Sequence, residues 1–171
     1  MHPFDKKSHA SAALLSTLLV ALLSLSAHAQ AQTRDGALRN QFTGTSKCFD
    51  VVNDGTNNRL QMAACGNYSG QHWTLSATPQ KGYWRLRNDF TGQNKCLDIV
   101  NDGKNNKLIM ANCANVTGQF WSQEGPPNYR LRNTFSGPDL CLDVINDGQN
   151  NRLQMASCGN YSGQSWRLSG Q

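Results

Sequence analysis

The sequence predicts an all-β fold made of three copies of one strand-rich unit. Closely similar text runs from a cysteine to a tryptophan over residues 48–73, 96–121 and 141–166. The copies begin 48 and 45 residues apart (96 − 48 and 141 − 96), and both cysteines and the tryptophan keep these offsets. No 3.6-residue hydrophobic period follows residue 30, whereas short alternating runs do. Because so short a unit cannot bury its own apolar face, the three copies must share a core.

The first residues have the pattern of a secretory signal peptide. Lys6 and Lys7 precede an apolar run over residues 12–25, and Ala27-His28-Ala29 forms a small-x-small cleavage site. We therefore expect residues 1–29 to be removed and the rest to be secreted, to the extracellular space or to a periplasm. Two alternatives stay open, cleavage after Ala31 and an uncleaved membrane anchor.

The charge of the remaining chain is mildly positive. Without Lys6, Lys7 and Asp5, the 16 basic and 11 acidic residues become 14 and 10, a net charge of +4. The basic residues recur at repeat-equivalent positions, which favours a solvated structural pattern over a nucleic-acid stripe. We therefore expect no nucleic-acid partner, while attraction to an anionic polysaccharide stays open.

The six cysteines all lie in the repeats, and six cysteines allow 15 pairings. The repeat selects one pairing within each copy, Cys48–Cys65, Cys96–Cys113 and Cys141–Cys158. An exported protein meets an oxidising compartment, so we expect one disulfide per repeat. A metal site is not expected, because no C-x-x-C motif occurs and His72 is the one histidine after the signal peptide.

Four short strands are predicted in each repeat. A polar lead over residues 30–37 precedes repeats at 38–82, 83–127 and 128–171. Each repeat opens with a strand that carries Leu-Arg-Asn, followed by a Phe-Thr/Ser-Gly turn. A second strand begins at the first cysteine, a third carries Leu-x-Met-Ala, and a fourth carries Gln-x-Trp. This gives twelve strands, and the third repeat closes so near Gln171 that we expect no catalytic domain.

An Asn-Asp-Gly sequence ends the second strand of each repeat, at residues 53–55, 101–103 and 146–148. These residue types tolerate a positive φ, so a hairpin turn is favoured. The alternative, a calcium loop, would need carboxylates at closer alternate spacing.

Strand alternation separates the two faces of each hairpin. The core face in repeat 3 is expected to carry Leu142, Val144, Leu153 and Met155. The cysteine face carries Asp143, Gln154 and Ala156. A charged aspartate there either caps a hydrogen-bond network or faces a ligand.

The three matched units resemble the ricin B-type lectin family, whose fold is a β-trefoil with Q-x-W repeats. The Q-x-W residues are at 71–73, 119–121 and 164–166, and the resemblance covers residues 38–166. It implies that the three tryptophans pack in a shared core and that each repeat carries a shallow sugar pocket.

The resemblance also implies particular site residues. The aspartate two residues after the first cysteine accepts hydrogen bonds from sugar hydroxyls, a task suited to a carboxylate, and the glutamine four before the second cysteine assists it. The glutamine of Q-x-W orients the aspartate. Carried over to this sequence, these residues are Asp50, Asp98 and Asp143, then Gln61 and Gln154, then Gln71, Gln119 and Gln164.

Two positions depart from the family pattern. Ala63, Ala111 and Ala156 stand where the family usually has an aromatic residue that stacks on the sugar. Gly70, Gly118 and Gly163 stand where it often has asparagine. A replacement stacking surface is predicted at Tyr68 and Tyr161, with Asn67 and Asn160 as polar partners; alternatively, these tyrosines only pack on their loop.

Repeat 2 differs from the others at the predicted site. Ile109 replaces the glutamine and Val116 replaces the tyrosine. We therefore expect competent pockets in repeats 1 and 3.

The sequence as a whole favours a secreted lectin that binds carbohydrate without chemistry. After the signal peptide it has one histidine, His72, and one glutamate, Glu124, and it needs no cofactor. The alternative is a protein-binding β-trefoil, an inhibitor or adhesin, whose sugar sites are vestigial. The sequence does not decide the oligomeric state.

Overall fold

The computed structural model describes residues 33–170 and contains twelve strands, four in each repeat. The signal peptide predicted at residues 1–29 lies outside the described residues. In repeat 1 the strands are β1 (Thr33–Asn40), β2 (Lys47–Val51), β3 (Leu60–Ala64) and β4 (Trp73–Ala77). In repeat 2 they are β5 (Tyr83–Asn88), β6 (Gly92–Ile99), β7 (Leu108–Asn112) and β8 (Trp121–Glu124). In repeat 3 they are β9 (Arg130–Asn133), β10 (Leu140–Val144), β11 (Leu153–Ser157) and β12 (Trp166–Ser169).

The first and fourth strands of the repeats form a barrel, in the order β1-β4-β5-β8-β9-β12. Strand β12 pairs with β1, and the Tyr129–Trp166 bridge joins it to the start of β9. The middle strands form three antiparallel hairpins, β2–β3, β6–β7 and β10–β11. This is the β-trefoil predicted from the sequence.

The start of the first strand differs from the prediction. The lead predicted at residues 30–37 is strand from Thr33 onward, because Thr33–Gly36 pair with β4 and Ala37–Asn40 pair with β12. Gly36 makes this change of partner possible with a φ of 145° and no side chain, since a Cβ there would collide with the carbonyl oxygen of Ser169.

The three tryptophans of the Q-x-W motifs lie in the shared core, as predicted. Trp73, Trp121 and Trp166 are almost completely buried. Each indole Nε1–H donates to a backbone carbonyl of its own repeat, to Phe49 at 2.8 Å, Leu97 at 3.0 Å and Leu142 at 2.9 Å. The polar edge of each ring is thereby satisfied inside an apolar core.

The hairpins have the two faces that strand alternation predicts. Leu142, Val144 and Met155 are buried, and Leu153 packs partly buried against the core. Asp143 stands opposite Gln154 on the other face. The three disulfides link Cys48–Cys65, Cys96–Cys113 and Cys141–Cys158, the predicted pairing.

The Asn-Asp-Gly sequences form turns, as predicted. In repeat 1, Asp54 Oδ1 accepts hydrogen bonds from the backbone N–H groups of Thr56 and Asn57. Those bonds and the Arg59 guanidinium lower the pKa of Asp54, and Asn57 takes a left-handed φ of 54°. The carboxylate is therefore committed to the turn itself.

Neighbouring repeats are joined by a ring of backbone hydrogen bonds between the hairpins. The N–H groups of Met62, Met110 and Met155 donate to the carbonyls of Asn151, Asn58 and Asn106, at 2.8, 2.9 and 2.8 Å. Each bond connects one repeat to the next, so every hairpin has a fixed position relative to its neighbours. Within the described residues, no helix has the length and apolar character that crossing a membrane requires.

Candidate functional site

The three aspartates lie at equivalent points on the second strand of each repeat. Asp50 stands opposite Gln61, Asp98 opposite Ile109 and Asp143 opposite Gln154. All three are half-buried, with the carboxylate on the face away from the core. The hairpin therefore presents an acceptor and, in repeats 1 and 3, an amide beside it.

The glutamine of Q-x-W fixes each aspartate from below. Gln71 Nε2 donates to Asp50 Oδ2 at 3.4 Å and to the carbonyl of Ala64 at 2.8 Å, and its Oε1 accepts from the N–H of Gly66 at 2.9 Å. Gln119 and Gln164 make the same set of bonds, with 2.9 and 3.3 Å to their aspartates. All three side chains are buried, at 1–2% exposure. Their hydrogen bonds hold the aspartate carboxylates in place.

This glutamine is also where the fold departs from the sequence prediction. It ends a short 3-10 turn, as in Ser69–Gln71, and the fourth strand begins at the tryptophan. The bonds that its amide makes to the loop before it replace those of a strand ladder.

A glycine lies directly under each carboxylate. A Cβ on Gly70, Gly118 or Gly163 would overlap Oδ1 of the aspartate in the same repeat. The glycine at this position, where the resembled family often has asparagine, therefore lets the carboxylate rest on the backbone. The aspartate and the glycine before the Q-x-W motif, which the sequence pattern gives as separate positions, are therefore in contact.

Tyr68 and Tyr161 are exposed, at 65% each, although they are large hydrophobic side chains. Each ring lies over a glycine, Gly66 or Gly159, where a Cβ would overlap the ring carbons. In repeat 2, Ala114 takes the place of that glycine and Val116 that of the tyrosine. One face of each tyrosine thus packs on the backbone while the rest of the ring faces solvent, the geometry of a stacking surface.

Two open cavities contain these residues. The repeat 3 cavity has a volume of about 640 Å³ and the repeat 1 cavity about 460 Å³. They are lined by equivalent residues, which include Asp143, Gln154, Asn160 and Tyr161 in repeat 3 and Asp50, Gln61, Asn67 and Tyr68 in repeat 1. The structure therefore brings the predicted acceptor, amides and aromatic ring together twice.

Each cavity also has residues that the sequence reasoning missed. Phe42 lines the repeat 3 cavity and Phe90 the repeat 1 cavity, each contributed by the following repeat in the cyclic order. Asn146 and Asn53 line them as well. The recurring Phe-Thr/Ser-Gly sequence was a signal for the phenylalanine, although its partner in the neighbouring repeat was not visible.

A buried asparagine holds each phenylalanine in place. Asn40 of the Leu-Arg-Asn sequence donates from Nδ2 to the carbonyl of Gly163 at 2.7 Å, and its Oδ1 accepts from the N–H of Phe42 at 3.0 Å. Asn88 does the same between Gly70 and Phe90. One amide side chain therefore joins the aromatic wall to the glycine under the aspartate.

The aspartate of repeat 2 has a shorter hydrogen bond to its Q-x-W glutamine than the other two aspartates have. Asp98 Oδ1 accepts from the N–H of Ile99 at 2.8 Å, and its Oδ2 accepts from Gln119 Nε2 at 2.9 Å. With Ile109 opposite and Val116 on the loop, its surroundings have fewer polar groups for a ligand than those of Asp50 or Asp143.

Burial raises the pKa of Asp50 and of Asp143, and the hydrogen bond from the Q-x-W glutamine opposes the rise in each case. A partly desolvated carboxylate is a stronger acceptor for hydroxyl donors than a fully hydrated one. Among residues 33–170, no cluster of three or more histidine, cysteine, aspartate or glutamate side chains is placed to hold a metal ion.

Comparison with family models places most of the chain in one family. The model of the ricin-type β-trefoil lectin domain matches residues 82–171, and that of the ricin-type β-trefoil lectin domain-like family matches residues 27–113. No curated protein matches.

Solved structures share the fold at low identity. The designed three-fold symmetric protein ThreeFoil is 23% identical with a TM-score of 0.68, over 80% of this chain and 99% of its own. A ricin B-like lectin from Macrolepiota procera, solved with lactose, is 17% identical with a TM-score of 0.64, over 79% of this chain and 94% of its own. A GlcNAcα1-4Gal-releasing endo-β-galactosidase from Clostridium perfringens is 20% identical with a TM-score of 0.64, over 79% of this chain and 32% of its own. In that enzyme the matched part is thus about a third of the chain.

Proposed function

Because this chain belongs to the ricin-type β-trefoil lectin domain family, we propose that it is a secreted lectin that binds carbohydrate without catalysis, through pockets in repeats 1 and 3. The observation that carries the proposal is the same constellation built twice. A half-buried carboxylate on a glycine, an amide opposite it, an exposed tyrosine and a phenylalanine from the next repeat surround each cavity. Repeat 2 lacks two of these groups.

The chemistry of the pocket suits a sugar. The carboxylate accepts hydrogen bonds from neighbouring hydroxyls, and Gln61 or Gln154 can both donate and accept. The exposed tyrosine faces offer an apolar surface for the C–H groups of a pyranose ring. Binding at a single open pocket is expected to be weak, and two pockets on one chain raise the avidity for a surface that repeats the sugar.

Among residues 33–170, neither pocket has the pair of carboxylates that glycoside hydrolysis uses. Of these described residues, Asp143 is the one carboxylate that lines the repeat 3 pocket, and Asp50 the one that lines the repeat 1 pocket. Hydrolysis needs an acid and a second carboxylate about 5 to 9.5 Å apart on the two sides of the bond. This supports binding rather than cleavage.

The rival proposal is a protein-binding β-trefoil with vestigial sugar sites. Alanine at residues 63, 111 and 156 favours it, since the aromatic residue usual in the family is missing there. The exposed Tyr68 and Tyr161 favour the lectin, because an aromatic surface has been rebuilt on a different loop.

A glycan array of the protein that starts at residue 30 tests the choice. We expect the wild type to bind a defined set of glycans, and Asp50→Asn combined with Asp143→Asn to abolish binding without lowering the melting temperature. Asp98→Asn is the matched control and should keep the wild-type signal. A wild type that binds no glycan would favour the protein-binding alternative, and a large loss of stability in the double variant would make these aspartates structural.

A further inference from the structure

A second cleft lies beside the repeat 3 pocket, on the other side of Tyr161. Its volume is about 460 Å³, and residues 160–162 line both spaces. Its other walls include Tyr129 and Arg130 at the start of β9, together with Ser165 and Gln41. A glycan that extends from the Asp143 pocket past Tyr161 would therefore enter this cleft.

The cleft contains an arginine, Arg130, whose side chain has no partner among residues 33–170. Among those residues Glu124 is the one acidic residue in the lining; it stands opposite Arg130 across β8 and β9, but its carboxylate is ion-paired to Arg132 at 2.7 Å. The guanidinium of Arg130 makes no hydrogen bond or ion pair with another described residue. An open cleft that holds a free guanidinium favours a ligand with an acidic group.

The equivalent positions of the other two repeats do not combine an open cleft with an arginine that lacks a partner. In repeat 2, Arg85 donates to the carbonyl of Ala114 at 3.0 Å and lies 5.9 Å from the ring of Phe120. Repeat 3 has Ser165 where repeat 2 has Phe120, which leaves the space beside Arg130 open.

In repeat 1 the position of Arg130 is occupied by Ala37. The smaller cleft there, about 250 Å³, is lined by Asp35 and His72, and His72 also contacts Asp89. With Asp35 in its lining and no arginine at the position of Arg130, this cleft would disfavour an anion. The two pockets are therefore alike at the aspartate and different at the neighbouring cleft.

We propose that repeat 3 is an extended site for an acidic oligosaccharide, with one sugar in the Asp143 pocket and the acidic group of the adjacent sugar on Arg130. This inference rests on the proposed lectin function and adds the class of glycan to it. A planar guanidinium binds a carboxylate or a sulfate ester through paired hydrogen bonds. Repeat 1 then binds the neutral sugar without this preference.

The test compares three matched glycans, each containing a sugar that binds on the array. That sugar is linked to glucuronic acid, to the neutral sugar obtained by reducing the carboxyl group of glucuronic acid, or to a sulfate ester of that neutral sugar. Arg130→Gln should weaken binding of the acidic forms to repeat 3 by about tenfold, since a charge-assisted hydrogen bond is lost. Affinity for the neutral form should not change. The measurement is made in the Asp50→Asn background, where repeat 3 is the remaining competent pocket.

Lys104→Gln is the matched control, because it removes the same charge from an exposed turn and introduces the residue type that repeat 3 has at Gln149. It should leave the preference intact, and Arg130→Lys, which keeps the charge, should retain part of it. The preference should also decrease as salt is added.

Equal affinity of repeat 3 for the acidic and neutral forms, or the same effect from Arg130→Gln and Lys104→Gln, would overturn the inference while leaving the lectin function in place. A protein that binds none of the array glycans would instead overturn the proposed function, and this inference with it. A preference for either the carboxylate or the sulfate supports the site and identifies its anion.

Discussion

At the scale of single residues, burial of the Asp50 and Asp143 carboxylates costs stability, while the proposed sugar binding needs their negative charge. Both carboxylates are partly desolvated, which raises their pKa above its ordinary value. A raised folded-state pKa means that the native protein favours the protonated form, so the stability that these groups contribute is present at low pH and is lost as pH rises through the folded-state pKa. In the proposed lectin each charge serves binding, at some expense of stability.

Sugar affinity should therefore fall in acid. The ionised carboxylate accepts hydroxyl hydrogen bonds better than the protonated one, and the raised pKa of Asp50 and Asp143 moves the loss of binding above the ordinary range of an aspartate, about pH 3.9. We expect affinity to be constant near pH 7 and to decline as pH approaches that range from above. Titrations of an array-selected neutral glycan at several pH values measure this. Affinity that stays constant through the carboxylate range would show that ionisation of these aspartates does not matter.

The sequence identified many of the residues that line the two candidate pockets, but not all of them. The aspartates, Gln61, Gln154 and the tyrosines could be identified because each recurs at a fixed offset from a cysteine. Phe42 and Phe90 could not be assigned, since each serves the pocket of the preceding repeat through the bonds of Asn40 or Asn88. Periodicity identifies equivalent residues within repeats, but it does not reveal which repeats a pocket combines.

At the scale of elements, the loop after the second cysteine decides whether a repeat presents an aromatic surface. Gly66 and Gly159 leave room for the ring of the tyrosine two residues later, and Ala114 occurs where the tyrosine is replaced by Val116. Neither glycine has a positive φ, so their lack of a side chain, rather than their backbone freedom, is what the loop uses.

Gly159→Ala should therefore weaken repeat 3 without unfolding it. The added methyl group would displace the ring of Tyr161 from its place on the backbone, and loss of a stacking contact is worth about three- to tenfold in affinity. Titration in the Asp50→Asn background isolates this pocket. Ala114→Gly, in repeat 2, should leave affinity unchanged, and wild-type affinity in Gly159→Ala would show that the ring position is not important.

The sequence repeat predicted where the strands lie, but it did not predict the start of the first strand or the start of the fourth strand. The predicted polar lead becomes strand at Thr33 because β4 offers it a pairing edge, an effect of tertiary structure that local polarity hides. The Q-x-W glutamine leaves the fourth strand because its amide is bonded to the loop and to the aspartate. Both differences come from contacts that a local sequence pattern does not show.

At the scale of the whole molecule, three-fold repetition provides the fold, and departures from it make the three candidate pockets different. The backbone hydrogen bonds between the hairpins and the bonds of the three tryptophans are equivalent in all three repeats. The pockets are not equivalent, since repeats 1 and 3 share their lining residues while repeat 2 has Ile109 and Val116. The scaffold can lose one pocket at little cost to stability because its core lies on the other face of each hairpin.

The most direct test of this account is the number of sugars that one chain binds. Calorimetric titration with a small neutral glycan chosen from the array should give two sites per wild-type chain, one site for Asp50→Asn or Asp143→Asn, and two sites for Asp98→Asn. Three equal sites in the wild type, or a count that neither Asp50→Asn nor Asp143→Asn reduces, would contradict it.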